Sequence, residues 1–166
     1  MNRIYTSDYG ELAQIKDSAY YISKDGRVFN LDRQPIKERK HGVSTKGYKQ
    51  FCLNHRCGKQ FTIQAHRIVA ESFLPNPNNF SQVNHKNEDK LDSCTSNLEW
   101  CTVGYNIEYS QAKTYELIHK DGSVVEVFNL SDFARSLGKR NAGNFNKLLR
   151  GQIKTCYGYV SIKEIN

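Results

Sequence analysis

Alternation of apolar and polar positions, broken by glycine-bearing turns, runs through much of this chain and predicts short antiparallel strands. Tyr20-Tyr21-Ile22-Ser23 and Arg27-Val28-Phe29-Asn30-Leu31 flank Lys24-Asp25-Gly26. An Asp-Gly between two such runs predicts a hairpin closed by a type I′ turn, which needs positive φ at both central residues. Residues 5–17 have weak periodicity and suit either a short helix or an extended lead-in. Residues 47–53 alternate, with Tyr48, Gln50 and Cys52 on one face and Lys49, Phe51 and Leu53 on the other; Gln60-Phe61-Thr62-Ile63-Gln64 alternates too. From Ala65 to Phe73 the period changes to that of a helix, and Leu74-Pro75 stops it. Val83 leads a short strand that ends in the polar doublet Asn84-His85 and projects it outward. Leu98, Trp100 and Thr102 share one face of a second strand, with Trp100 as core, and a polar helix follows from about Val103. A second Asp-Gly hairpin is predicted where residues 115–118 and 123–128 flank Lys120-Asp121-Gly122. Two short helices follow: residues 130–138, with a Ser131 N-cap and a Gly138 stop, and residues 144–151, with a Gly151 stop. Residues 154–160 return as a strand.

Mean hydropathy is −0.69 and 38% of the 166 residues are hydrophobic. Each module therefore has a thin core, which bound metal or DNA would help to order. No window approaches the ~20 apolar residues of a membrane span, and the first residues lack the apolar run of a signal peptide, so a cytosolic protein without a membrane partner is expected. The five cysteines, an odd number, read as free thiols of a reducing compartment. A zinc site from Cys52, Cys57, Cys94 and Cys101 is disfavoured because no pair has knuckle spacing.

The net charge is +7, and its distribution says more than its size. Residues 1–80 carry thirteen Lys and Arg against seven Asp and Glu, residues 81–115 three against five, and residues 116–166 eight against five. Two basic segments thus flank a slightly acidic middle, as suits a polyanion whose backbone runs past both ends of a central site.

That middle holds the candidate chemistry. Asn97 lies twelve residues after His85 and Asn106 twenty-one after it. A helix from Val103 would bring Asn106 back beside Asn84-His85, placing one imidazole and two amide oxygens around a point. Such a cluster can hold a divalent cation beside a general base.

Val83-Asn84-His85, a polar loop, Asn97-Leu98-Glu99-Trp100-Cys101-Thr102 and then Asn106 resemble the HNH nuclease motif, in the version found in phage and intron homing endonucleases. The resemblance reaches upstream through Ala65-His66-Arg67-Ile68-Val69-Ala70-Glu71-Ser72-Phe73. It implies that His85 is the general base, that Asn97 fixes the loop and orients that base, and that Asn84 and Asn106 are the metal contacts. Here two positions depart from the family, since the third letter is often His and the residue before the base is often Asp or His. Neutral amide oxygens should bind metal weakly in the absence of DNA, and they favour Mg²⁺ or Mn²⁺, one ion per site, over Zn²⁺. Asn87, Glu88, Asp89 and Asp92 read as a solvated loop. A catalytic role is open to His66, but its place within an element rather than at a strand end favours a packed or hydrogen-bonded structural histidine; His41, His55 and His119 have no partner spacing.

Both flanks resemble modules that accompany this nuclease. The expected architecture is α+β and modular. Residues 1–64 form a β-rich DNA-contacting module and residues 65–106 the ββα nuclease core. Residues 107–115 are a helical linker, and residues 116–166 a hairpin with a helix-turn-helix. In the first module Lys46, Lys49, Arg56 and Lys59 are candidate DNA contacts, with Arg67 at the start of the helix. In the last they are Arg135, Lys139, Arg140, Asn144, Asn146, Lys147, Arg150 and Lys154, with the second helix in the major groove. The function so implied is site-specific, metal-dependent cleavage of double-stranded DNA by a monomer with no small-molecule cofactor, nicking one strand per visit. Alternatives are a DNA-binding regulator that has lost cleavage and a non-specific nuclease.

Overall fold

The computed structural model describes residues 4–165, which divide into two compact units, Met1–Asn106 and Ile107–Asn166. In the first unit β1 (Ile4–Ser7), β2 (Gly10–Gln14), β3 (Tyr20–Ser23), β4 (Val28–Asn30) and β5 (Lys37–Arg39) form an antiparallel sheet in chain order. The lead-in is therefore extended. Its weak periodicity has a physical cause: Ala13 packs into one apolar cluster with Ile22 and Val28, while its neighbour Leu12 packs into another with Tyr21 and Phe29. A strand buried on both faces shows no alternation.

A second sheet follows, of β6 (Gly42–Val43), β7 (Lys49–Asn54) and β8 (Gln60–Gln64). As the alternation requires, Phe51 and Leu53 are buried and Cys52 is exposed. Then come α1 (Ala65–Phe73), the antiparallel pair β9 (Gln82–His85) and β10 (Leu98–Cys101), and α2 (Val103–Ser110), a β-β-α unit. One core joins Ile22 and Val28 of the first sheet, Phe51 and Leu53 of the second, Val69 of α1, and Val83 and Leu98 of the β9–β10 pair. It runs straight across position 64/65, so the N-terminal strands, α1 and the β9–β10 pair are parts of one body. Trp100 is half-buried at the edge of this core, its indole N–H 3.4 Å from the Leu74 carbonyl.

The Asp-Gly hairpins form, but with a different turn. Gly26 N–H donates to the Ser23 carbonyl at 3.0 Å, Ser23 N–H donates to the Arg27 carbonyl at 2.9 Å, and only Gly26 has positive φ, +74°. This is a type I turn followed by a left-handed glycine bulge. The same pattern closes Ser44–Tyr48, His55–Lys59 and His119–Ser123 among the described residues. A type I′ turn occurs instead at Tyr157-Gly158, with φ of 52° and 90° and two 2.8 Å bonds between Cys156 and Tyr159.

The second unit has a sheet of order β12-β11-β13, from β11 (Thr114–His119), β12 (Val124–Phe128) and β13 (Tyr159–Ile165). Helices α3 (Leu130–Ser136) and α4 (Gly143–Leu149) pack on it around Phe145, Leu117 and Ala134. The cap of α3 is Asn129 rather than Ser131; its side-chain oxygen accepts from Ser131 N–H and Asp132 N–H at 3.2 Å. The last strand starts at Tyr159, later than expected, because the Tyr157-Gly158 turn intervenes. No helix among the described residues is long and apolar enough to cross a membrane.

Candidate active site

The register of β9 against β10 sets Leu98 opposite His85 and Glu99 opposite Asn84. Successive strand side chains point to opposite faces. His85 therefore shares the inward side of Val83, and Asn84 meets Glu99 on the other. The doublet ends its strand as expected, but it does not project outward: Asn84 is 6% exposed and His85 5%. Aromatic rings cover the imidazole. The Tyr48 ring centroid lies 5.8 Å from that of His85, the His66 centroid 4.9 Å, and Tyr48 and His66 are 4.7 Å apart. Asn84 Nδ2 donates to Glu99 Oε1 at 2.8 Å, which turns the amide oxygen away from the carboxylate.

Asn97 closes the loop between the strands. Its Oδ1 accepts from Asn87 N–H at 2.9 Å, its Nδ2 donates to the Asp92 carbonyl at 2.8 Å, and its own carbonyl accepts from Lys86 N–H at 2.8 Å. Inside the loop, Asn87 Nδ2 donates to Asp92 Oδ2 at 2.9 Å. Two hairpin turns grip the loop from outside. Lys90 Nζ lies 5.2 Å over the Tyr48 ring and donates to the Lys46 carbonyl at 3.3 Å. Thr95 N–H donates to the Lys24 carbonyl at 2.9 Å, beside buried Ser93. Asn106 is half-buried in the first turn of α2, its N–H on the Thr102 carbonyl at 3.1 Å.

Burial lowers the pKa of His85 below its usual value; Asp92 and Asp89 oppose the shift and Lys90 adds to it. Burial, with the nearby His85 and Arg67, pushes His66 down to about 3. Burial thus favours the uncharged form of both rings. Burial and Glu99 push the Cys101 thiol up to about 11. The five cysteines are free. Among the described residues, no three His, Cys, Asp or Glu side chains converge as metal ligands. The Asn84 amide oxygen, with the Glu99 carboxylate hydrogen-bonded to the same amide, is a hard donor of the kind that suits Mg²⁺ or Mn²⁺.

The basic candidates separate into free and engaged groups. Lys46, Arg56 and Lys59 sit exposed on hairpin turns and Lys49 is half-buried, while Arg56 pairs with Asp32 at 3.0 Å and Arg67 donates to the Ser81 carbonyl at 2.8 Å. In the second unit Arg135 pairs with Glu108 at 2.7 Å and Asp132 at 3.2 Å. Lys139 Nζ lies 4.7 Å over the Tyr157 ring, and Asn144 Nδ2 donates to its hydroxyl at 2.9 Å. Arg140, Asn146, Lys147, Arg150 and Lys154 are exposed. Sequence reasoning gives no site role to Tyr48 or Glu99 and favours a structural role over a catalytic one for His66. For Glu99 a signal existed, since pairing the two strands around Asn97 sets it opposite Asn84; for the two rings it did not, since only the tertiary fold brings them to His85.

No family model matches the chain. Two uncharacterized HNH endonucleases of Acanthamoeba polyphaga mimivirus are similar to it. One is 38% identical over 89 residues, 53% of this chain and 26% of the relative; the other is 33% identical over 93 residues, 55% and 23%. DNA endonuclease I-HmuI of Bacillus phage SP01 is 28% identical over 110 residues, 66% of this chain and 62% of the relative. The chain thus spans less than two thirds of the length of each of these relatives. The solved structure of the HNH homing endonuclease I-HmuI shares the fold, with a TM-score of 0.51 at 24% identity over 93% of this chain and 97% of that one. The resemblance to HNH homing endonucleases extends from the motif to the fold.

Proposed function

We propose that this chain is a divalent-metal-dependent, site-specific DNA endonuclease of the homing type, with His85 as general base. One observation carries the reading: a buried imidazole is fixed at a strand end, next in the chain to an amide oriented by Glu99 and at the head of a loop locked by Asn97. Hydrolysis of a phosphodiester needs a water deprotonated near neutral pH, which an imidazole can do. His85 Nε2 is buried, so Nδ1 is the nitrogen that meets the water. Asn97 holds the 87–92 loop so that the ring keeps its aim. Asn84, held by Glu99, and Asn106 would hold a Mg²⁺ or Mn²⁺ ion, which supplies charge stabilisation at the scissile phosphate when bound. The exposed basic groups of α4 and of the hairpin turns would track the duplex backbone, residues 116–166 serving as the reading module. With one base and one ion per chain, a monomer nicks one strand per visit.

The test is a supercoiled plasmid library carrying random inserts, incubated with Mg²⁺ or Mn²⁺. Wild type should give open circles first at a defined sequence, and His85→Ala should bind that sequence without cutting it. Immediate linearisation by monomer would overturn the nicking claim. No cleavage with either ion would favour a regulator, and cleavage without site preference would favour a non-specific nuclease.

A further inference from the structure

A histidine that takes a proton on Nδ1 must carry its own proton on Nε2, and a buried N–H needs an acceptor. His85 Nε2 is fully buried and makes no hydrogen bond within the protein; His66 Nδ1, on the first turn of α1, is in the same condition. These two orphaned nitrogens belong to rings in contact, 4.9 Å between centroids at 63°. A linear N–H···N bond of about 2.9 Å between two imidazoles separates their centroids by about 5 Å. The ring spacing is thus that of a hydrogen-bonded imidazole pair.

On the basis of the nuclease reading above, we infer that His66 is a positioning residue: its Nδ1 accepts the Nε2–H of His85 and so fixes the tautomer whose Nδ1 lone pair faces the reacting water. The pairing accounts for both orphaned atoms at once. It also accounts for Tyr48, whose ring lies against both imidazoles and holds their spacing. His66 stays neutral through the physiological range, since burial disfavours its cation. It can therefore accept a hydrogen bond without competing for the proton that His85 takes up. A carboxylate in this place would leave a buried charge; a second imidazole orients the base without one.

The experiment is long-range ¹H–¹⁵N correlation of the histidine rings in the full-length protein at neutral pH, without metal or DNA. Both His85 and His66 should be protonated on Nε2 and unprotonated on Nδ1. His66→Phe keeps the ring but removes the acceptor, and should turn His85 into a mixture of tautomers. His66→Asn, whose amide oxygen occupies the Nδ1 position, should keep the Nε2–H form. If the chain cuts DNA, kcat should fall about 10–100-fold in His66→Phe with KM for duplex unchanged, and recover in part in His66→Asn. Protonation of Nδ1 on either ring in wild type, or the same His85 tautomer in wild type and His66→Phe, overturns the pairing. The spectra need no substrate, so absence of cleavage by wild type would sink the nuclease reading while the wild-type tautomers still decide this one.

Discussion

Asn84 Nδ2 and Glu99 Oε1 are 2.8 Å apart across the β9–β10 pair. A carboxylate can only accept, so it fixes the amide with its nitrogen towards Glu99 and its oxygen turned away. It also sets a negative charge beside a neutral ligand. Glu99→Gln keeps an acceptor but deletes the charge, and its Mn²⁺ affinity in the absence of DNA should fall about tenfold, roughly 1.4 kcal/mol. Asn84→Asp should bind the ion more tightly, yet set two carboxylates in contact. Its metal-free form should melt below wild type and recover on addition of Mn²⁺. Thermal unfolding across a Mn²⁺ titration measures both effects; equal metal response in all three proteins would remove Asn84 and Glu99 from the metal site.

Asn97 bonds both ends of the 87–92 loop with one amide. Asn97→Ala should cost about 1–3 kcal/mol, two net hydrogen bonds of about 0.5–1.5 kcal/mol each, in urea unfolding. Asn97→Asp keeps the acceptor for Asn87 N–H, loses the donor to Asp92, and should fall between. If both variants unfold like wild type, the loop is held by something else.

The loop's other anchor is the first hairpin turn. A Cβ on Gly26 would stand 2.7 Å from Ser93 Cβ, whereas one on Gly58, in an identical turn of the same unit, would meet nothing within 4 Å. Both glycines have positive φ, so Gly58→Ala should cost the left-handed penalty alone, about 1–2 kcal/mol. Gly26→Ala should add about 1–3 kcal/mol of overpacking and displace Ser93. Chemical denaturation of the pair checks this, since both variants share the backbone term.

Much of the fold was legible because its signals are local. Glycine positions marked the hairpins, Leu74-Pro75 marked the end of α1, and Val83-Asn84-His85 read as a strand end. What failed required knowledge of neighbours. The type I′ turn was assigned to Asp25-Gly26, but Asp25 keeps negative φ; Asn129 outcompetes Ser131 for the α3 cap by adopting φ 58° itself. The 65–106 boundary isolates the nuclease motif, while apolar packing continues from Ile22 through Val69 to Leu98. The two rings about His85 come from the turn before β7 and from α1, and no spacing in the sequence announces that they meet it.

His66 ties stability to pH. Its folded pKa is about 3 against a usual value of 6.5. Between those values the unfolded chain binds a proton that the folded one does not. Stability is therefore complete above pH 6.5 and falls as pH drops towards 3, by up to about 1.4 kcal/mol per pH unit. His66→Phe has no proton to gain, so the difference in urea midpoint between wild type and variant should change sharply from pH 7.5 to pH 5. A constant difference would mean that His66 takes up its proton equally in the folded and the unfolded chain.

Paired and unpaired basic residues in the second unit should behave differently on DNA. Arg135 is committed to Glu108 and Asp132, whereas Lys147 and Arg150 are exposed on and just after α4 and carry no described ion pair. A side chain already neutralised within the protein displaces few counterions from a duplex. Lys147→Ala with Arg150→Ala should therefore flatten the dependence of log K on log salt by about 2, near 0.9 per lost phosphate contact. Arg135→Ala should leave that slope as it is and lower thermal stability instead, because Glu108 and Asp132 lose their shared cation. Binding to the cleavage site at several salt concentrations, beside a melting curve, separates the cases. An unchanged slope in the double variant would take α4 off the phosphate backbone.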